Sequence, residues 1–233
     1  MPRLLAPLRA ASYLAAMAGA AACTRPAPVV PADAFVGSSR GALEAAAAAS
    51  RPAQHLLARF RWRFEDQRLR VSGQGAVRVA PPDTLRADIG AAFGLARSTV
   101  VLEGEGVQAR PADVVERLLS DRFALWAALG VLRAPSGPLT VERREDGAHV
   151  LWRVTDAAGR VTLFETADGQ LLTVTREEGG RAATTLVLTR SETDGTVRRA
   201  RLTDFVRAAR LDIEITTRQS VEPFPPETWR LGP

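Results

Sequence analysis

Residues 149–178 read HVLWRVTDAAGRVTLFETADGQLLTVTREE, and this stretch decides the fold. Val150, Trp152 and Val154 alternate with Leu151, Arg153 and Thr155. Successive side chains of a β-strand point to opposite faces, so this period of two predicts a strand. Gly159 then marks a turn, a second run follows from Arg160, and Asp168-Gly169 makes the next reversal. Asp-Gly suits a tight hairpin because both central residues of a type I′ turn need positive φ. The same grammar extends in both directions. Asp146-Gly147 lies before the stretch, and Gly179-Gly180 and Asp194-Gly195 lie after it. The spacing predicts strands over 139–144, 149–155, 160–166, 171–177, 183–189, 196–203 and 211–220, an antiparallel meander.

Several of these strands are apolar on both faces. Leu151 opposes Val150, Trp152 and Val154; Phe164 opposes Val161 and Leu163; Val187 opposes Leu186 and Leu188. A flat sheet with one wet face has no use for that pattern. A curved sheet wrapped around helices or an apolar cavity does, and the class expected is mainly β (α+β).

Upstream, Phe60, Trp62 and Phe64 alternate with Arg59, Arg61 and Arg63. Val71, Gly73, Gly75, Val77 and Val79 share one face of the next strand, with Ser72, Gln74 and Arg78 opposite. Glycines inside a strand signal a bend, a bulge or a close backbone approach. Pro81-Pro82-Asp83 ends that strand, Leu85, Ala87 and Ile89 alternate in a third, and 99–103 forms a fourth. Two helical regions interrupt the β pattern. Ser38 or Ser39 caps a helix through the alanines at 45–49, Pro52 breaks it, and a further turn carries His55, Leu56 and Leu57. Pro111 opens a helix over 111–129, where Val115, Leu118, Leu119, Leu125, Trp126 and Leu129 form an apolar face. Ser120-Asp121 divides it and Gly130 closes it. Residues 222–233 are proline-rich and read as an extended terminus.

The N-terminus carries an address. Arg3 and Arg9 precede an apolar run over 10–18, and Ala20-Ala21-Ala22 is a small-residue cleavage site, the plan of a secretory signal. The run is shorter than the roughly 20 residues of a spanning helix. Cys23, the single cysteine, follows directly. Cleavage there without modification leaves an exported protein with one thiol and no disulfide partner. Ala20-Ala21-Ala22-Cys23 resembles the lipobox of bacterial lipoproteins, with Ala20 where a larger aliphatic residue is usual. That resemblance implies a lipid anchor on Cys23. The expected layout is a signal peptide at 1–22, a Pro-rich tether at 23–39 carrying Pro26, Pro28 and Pro31, and one domain at 40–233. Removing the leader leaves 211 of the 233 residues and reduces the net charge from +5 to +3. There is no lysine and no asparagine, so every cation at neutral pH apart from the amino terminus is arginine. Arginines 59, 61 and 63, and 198, 199 and 201, sit at strand-like spacing among acids. They read as solvated sheet faces, and no nucleic-acid partner is expected.

No motif calls for a reaction, a cofactor or a metal. His55 and His149 are isolated, Gly73-Gln74-Gly75 lacks the rest of a dinucleotide loop, and no nucleophile elbow or phosphate-binding loop is present. Glu103 with Glu105, or Glu142 with Glu145, are the nearest carboxylate pairs, and strand edges and turns account for them. The chain is therefore expected not to be an enzyme.

In element order, residues 40–230 resemble the LolA/LolB family. The resemblance is carried by the lipoprotein-like leader, a helix and strands, Pro81-Pro82-Asp83-Thr84-Leu85-Arg86-Ala87-Asp88 as a turn entering a strand, a helical insertion, and the long meander. It implies an unclosed β-barrel with helices covering its concave face and an apolar groove that receives acyl chains. Phe60, Trp62, Phe64, Val77, Leu85, Leu118, Trp126, Trp152 and Phe164 are the candidate groove residues; the competing reading of each is core. The expected role is a membrane-anchored carrier or receptor for a lipid or acylated lipoprotein. It would face the periplasm from the cell envelope, leaning to the outer membrane. The alternative is an assembly lipoprotein holding an envelope protein partner through a sheet edge or outer face.

Overall fold

The computed structural model describes residues 35–91, 97–111 and 123–231. Cys23 and Leu118, the anchor and one groove candidate, lie outside these residues. The described chain forms one 13-stranded antiparallel sheet in the order β1-β7-β8-β9-β10-β11-β12-β13-β2-β3-β4-β5-β6. Its end strands, β1 (Val36–Ser38) and β6 (Gly106–Arg110), do not pair with one another, so the barrel is unclosed.

The meander over the second half is β7 (Leu139–Asp146), β8 (His149–Asp156), β9 (Val161–Ala167), β10 (Gln170–Glu178), β11 (Arg181–Arg190), β12 (Val197–Asp204) and β13 (Ala209–Ser220). Asp168 and Gly169 both take positive φ, 50° and 74°, as the tight Asp-Gly turn requires. The first half supplies β2 (Leu56–Glu65), β3 (Arg70–Ala80), β4 (Thr84–Ala91), β5 (Arg97–Glu103) and β6. The two series join where β13 pairs with β2, from Arg210 against Glu65 to Ser220 against Leu56.

Three boundaries differ from the sequence reading. Val36–Ser38, placed in the tether, pairs with Val141–Arg143 as β1. Leu56 and Leu57 begin β2 instead of a helical turn, because β3 and β13 flank them on both sides. Gly106–Arg110 forms a fifth strand of the first series, paired with β5 across the Gly104–Glu105 turn. The short α1 (Arg40–Ala49) is N-capped by Ser39, whose Oγ accepts from Ala42 N at 3.1 Å. Of the helix expected over 111–129, the described part is α2 (Phe123–Ala128), and Pro111 itself lies in a bend after β6. Gly130 closes α2 at φ 82°, where Val131 N reaches back to Trp126 O.

The core lies between the helices and the inner face of the sheet. Leu43 and Ala47 of α1 and Leu125, Trp126, Ala127 and Ala128 of α2 join inward residues from every strand from β2 to β5 and from β7 to β13. Ser50, after α1, ties the two helical regions: its Oγ donates to Ala47 O and accepts from Leu132 N, both at 2.8 Å.

The stretch 81–88 shows how eight residues serve three layers. Asp83 at the turn draws Arg51, just past α1, and Arg133, just past α2, to 3.6 and 3.4 Å. These contacts are longer than hydrogen bonds and act as ion pairs. Leu85 and Ala87 point inward and are fully buried. Arg86 and Asp88 point outward and hold the terminus. Arg86 Nη1 donates to the carbonyls of Thr228 at 2.7 Å and Arg230 at 3.1 Å. Residues 221–231 thus return across the outer face of β2–β5, with a short helical turn at Pro226–Trp229. Phe224 meets His55 and Trp229 edge to face at 5.7 and 5.6 Å. Val101 of β5, the cross-strand partner of Arg86, is buried although it faces away from the core.

Candidate functional site

Register aligns one apolar row along the inner face. It runs Trp152, Phe164, Val174, Leu186, Leu202, Leu211, Phe64 and Val71, each the direct cross-strand partner of the next. Close cross-strand pairs of this kind are the unit of sheet stabilisation. Here they also make a continuous apolar wall eight strands wide.

Part of this wall is open. A pocket of about 460 Å³, counted out to its mouth, is lined by Phe164, Val174, Leu186 and Leu202 of the row and by Ala124 and Ala127 of α2. Within it, only about 30 Å³ is room for the centres of water-sized atoms. That is space for about two waters, since one needs 10–15 Å³ or more on this measure. The helix is therefore the main occupant of the half-barrel, and small alanine side chains are what it presents to the space. Pro135 completes the lining together with a polar trio, Thr162, Arg176 and Thr184. They form the next inward row: Arg176 pairs with Thr162 on one side and Thr184 on the other, one step closer to the hairpin ends. The pocket is apolar within and polar at one end.

The candidate groove residues divide. Phe164 lines the pocket, and Trp152 and Phe64 stand in the same row. Trp126 faces another hollow beside Leu102, Gly104 and Val107, with the Arg133 guanidinium 5.0 Å above its ring. Val77 and Leu85 lie in the packed core. Phe60 and Trp62 lie flat on the neighbouring strand. Phe60 pairs with Gly75 and Trp62 with Gly73, and a Cβ on either glycine would fall within 2.8 Å of the ring. The glycines in β3 therefore mark a close approach by aromatic rings. Trp62 Nε1 donates to Gly90 O at 3.2 Å, satisfying the indole in place. The Trp152 indole N–H, buried, finds no acceptor among the described residues. Sequence reasoning missed Val174, Leu186, Leu202 and Arg176. Their alternation was visible, but the rows they share appear only once strand registers are known.

A second polar feature is structural. Arg190 donates to the carbonyls of Leu171 and Gly195, and Arg218 to Leu129 O beyond α2. Burial lowers the pKa of Arg190, and the neighbouring Arg218 lowers it further. Burial lowers that of Arg218 too, opposed by Asp194. The pair holds the 191–196 loop and the end of α2 with positive charge where a helix terminus favours it. Among the described residues, no group of three or more His, Cys, Asp and Glu could hold a metal ion, and no helix is long and apolar enough to cross a membrane.

No protein-family model and no curated protein matches the sequence. Solved structures do match the fold. A LolA superfamily protein from Nitrosomonas europaea superposes with a TM-score of 0.57 at 10% identity, over 83% of this chain and 98% of that one. A Vibrio parahaemolyticus domain assigned to outer-membrane lipoprotein sorting superposes with a TM-score of 0.50 at 9% identity, over 80% of this chain and 93% of that one. The chain has the fold of the LolA superfamily.

Proposed function

We propose that this protein is a non-enzymatic carrier or receptor for an acyl chain, held to the bacterial cell envelope by a lipid on Cys23 and facing the periplasm. The observation that carries the reading is the eight-strand apolar row opening into a pocket under α2. An acyl chain entering there would gain about 0.8 kcal/mol per buried CH₂ before ordering costs. The free space is small, so the chain would take over volume that α2 now fills. The alanines facing the space present little surface to be displaced. The likeness to a lipoprotein-sorting domain favours an acylated ligand and an outer-membrane setting.

The test is native mass spectrometry of the protein gently extracted from its host. Co-purifying acyl-bearing mass, lost in a Val174→Asp, Leu186→Asp double variant that stays folded, supports the reading; a chain that is empty and takes up no fluorescent fatty acid refutes it. Cys23→Ser is expected to shift the protein from the membrane to the soluble fraction. A second reading rests on the end strands β1 and β6, each paired on one side only among the described residues. Val36 of β1 and Val107 of β6 are 63% and 47% exposed, as strands inviting a protein partner's strand would be. Crosslinks confined to β1 or β6 in an acyl-free protein would favour it.

A further inference from the structure

The inner face of a carrier for a purely apolar load needs no charge, yet Arg176 projects from it. Its position is fixed by register, two residues beyond Val174 on the same face and directly between Thr162 and Thr184. Among the described residues its ion pair is with Glu178, at 3.1 Å, on a carboxylate side chain that is itself 55% exposed. A pair that wet contributes little. The more exposed Glu178 can turn to solvent, leaving a planar five-donor fork over the apolar pocket. The two threonine hydroxyls on either side add donors.

We propose that the pocket selects a single-chain amphiphile with an oxyanion head: the chain lies along Phe164, Val174 and Leu186, and Arg176 holds the head at the mouth with Thr162 and Thr184. This rests on the acyl-carrier reading and narrows it. Size points to one chain, because the free space under α2 is only about 30 Å³ and a second chain would have to displace still more of the helix. Charge points to the head, because a guanidinium fork matches carboxylate and phosphate oxygens in pairs. A carboxylate, a phosphate monoester or a sulfate would each satisfy it.

The probes are dodecanoate and dodecanol, equal in chain and different in head, titrated calorimetrically at pH 8 into the full chain carrying Cys23→Ser. Dodecanoate is expected to bind about ten-fold or more tighter, as charge-assisted hydrogen bonds imply. Arg176→Gln should erase that preference, and a circular-dichroism melting curve matching the parent shows that the variant is folded. Glu178→Gln, by releasing the arginine, should tighten dodecanoate two- to three-fold. Equal affinity for the two probes, or a preference that survives Arg176→Gln, overturns the inference while the carrier reading stands. Displacement of dodecanoate by millimolar inorganic phosphate alone makes the site a free-anion site and overturns it as well. If neither probe binds, the carrier reading fails with it.

Discussion

The two wings of the sheet, on either side of the β13–β2 seam, use the same antiparallel pairing to opposite ends. In the first wing, β2–β6, the core and the flat rings of Phe60 and Trp62 fill the inner face, and Arg86 of β4 holds residues 228–230 against the outer one, where Arg59, Arg61 and Arg63 of β2 stay exposed. Val101, the cross-strand partner of Arg86, is 1% exposed on that outer face. In the second wing, β7–β12, the inner face retains a pocket, and on the outer face Val187 is 45% exposed. A sheet covered on both sides has little freedom to bend. One covered on a single side, by a helix presenting alanines, can change what it encloses.

The sharpest way to break this contrast is to make the same truncation on each side. Leu85→Ala in the first wing leaves a hole in a fully enclosed site and is expected to cost about 4 kcal/mol, near the upper part of the range for buried leucines. Leu186→Ala borders space that already exists and is expected to cost about 2 kcal/mol, the lower end of that range. Urea denaturation measures both, and equal losses would show that the second wing is as tightly filled as the first. Next in size is Gly73→Ala. Its Cβ would sit 1.9 Å from Gly90 O and 2.8 Å from the Trp62 ring, so backbone has to move. A loss of about 3 kcal/mol is expected from such overpacking. Gly37→Ala in β1, where a Cβ meets nothing within 4 Å, is the control and should leave the melting temperature nearly unchanged.

The cover of the first wing gives a third test. Arg86→Ala removes the donors that hold the Thr228 and Arg230 carbonyls and is expected to cost about 1–2 kcal/mol. Hydrogen exchange should rise over 225–231 and leave β9–β11 unchanged. Acid should act on the same clamp. Half-burial raises the Asp88 carboxyl, but hydrogen bonds from Arg86 and Thr99 and the charges of Arg86 and Arg78 outweigh it and hold the group below its ordinary value of 3.8. A carboxylate depressed by folding stabilises above its unfolded pKa, and that contribution is lost as pH falls through the folded value. The terminus should therefore loosen below about pH 4 in the parent chain, and Asp88→Asn should remove that part of the acid response.

The contrast between the wings was only partly legible in the sequence. Most strands of the second half were marked by turn glycines whose φ demands are local, the turn at 205–208 carrying none, and each observed strand lies within two residues of its expected bounds. Local signals did not reach β1 or β6. Val36-Gly37-Ser38 is too short to show a period, and 106–110 carries only Val107 and Ala109 as apolar side chains because an edge strand needs little burial. Alternation gives the inward face of Phe60 and Trp62 but not that their rings lie over the glycines of β3. The paired glycines hinted at it, but their partners become known only with the register. Arg176 escaped notice for a similar reason. In 170–178 it sits among Thr, Glu and Glu, like any solvated strand end. A bulge between Leu171 and Thr173, invisible to a period-two reading, keeps Leu171 and Val174 on one face with it.

The smallest expected effect asks whether the two helices act as one lid or as two. Ser39→Ala removes the acceptor of the Ala42 N–H and should cost about 1 kcal/mol, the usual value of such a cap. Its direct consequence is fraying of the first turn of α1, where Arg40 Nη1 donates to Gly137 O. The pocket is lined by α2 and not by α1, so dodecanoate affinity should stay within a factor of two of the parent. Ser50 is the structural link that could defeat this expectation, since its Oγ bridges the end of α1 to Leu132, past α2. Fraying at Arg40 must cross nine further residues to reach that bridge, and Leu43 and Ala47, both buried, lie between and pin the helix to the core. A cap mutation that weakened ligand binding several-fold would mean the pins do not isolate the ends. Both helices would then move as one cover over the second wing, and α1 would belong to the site.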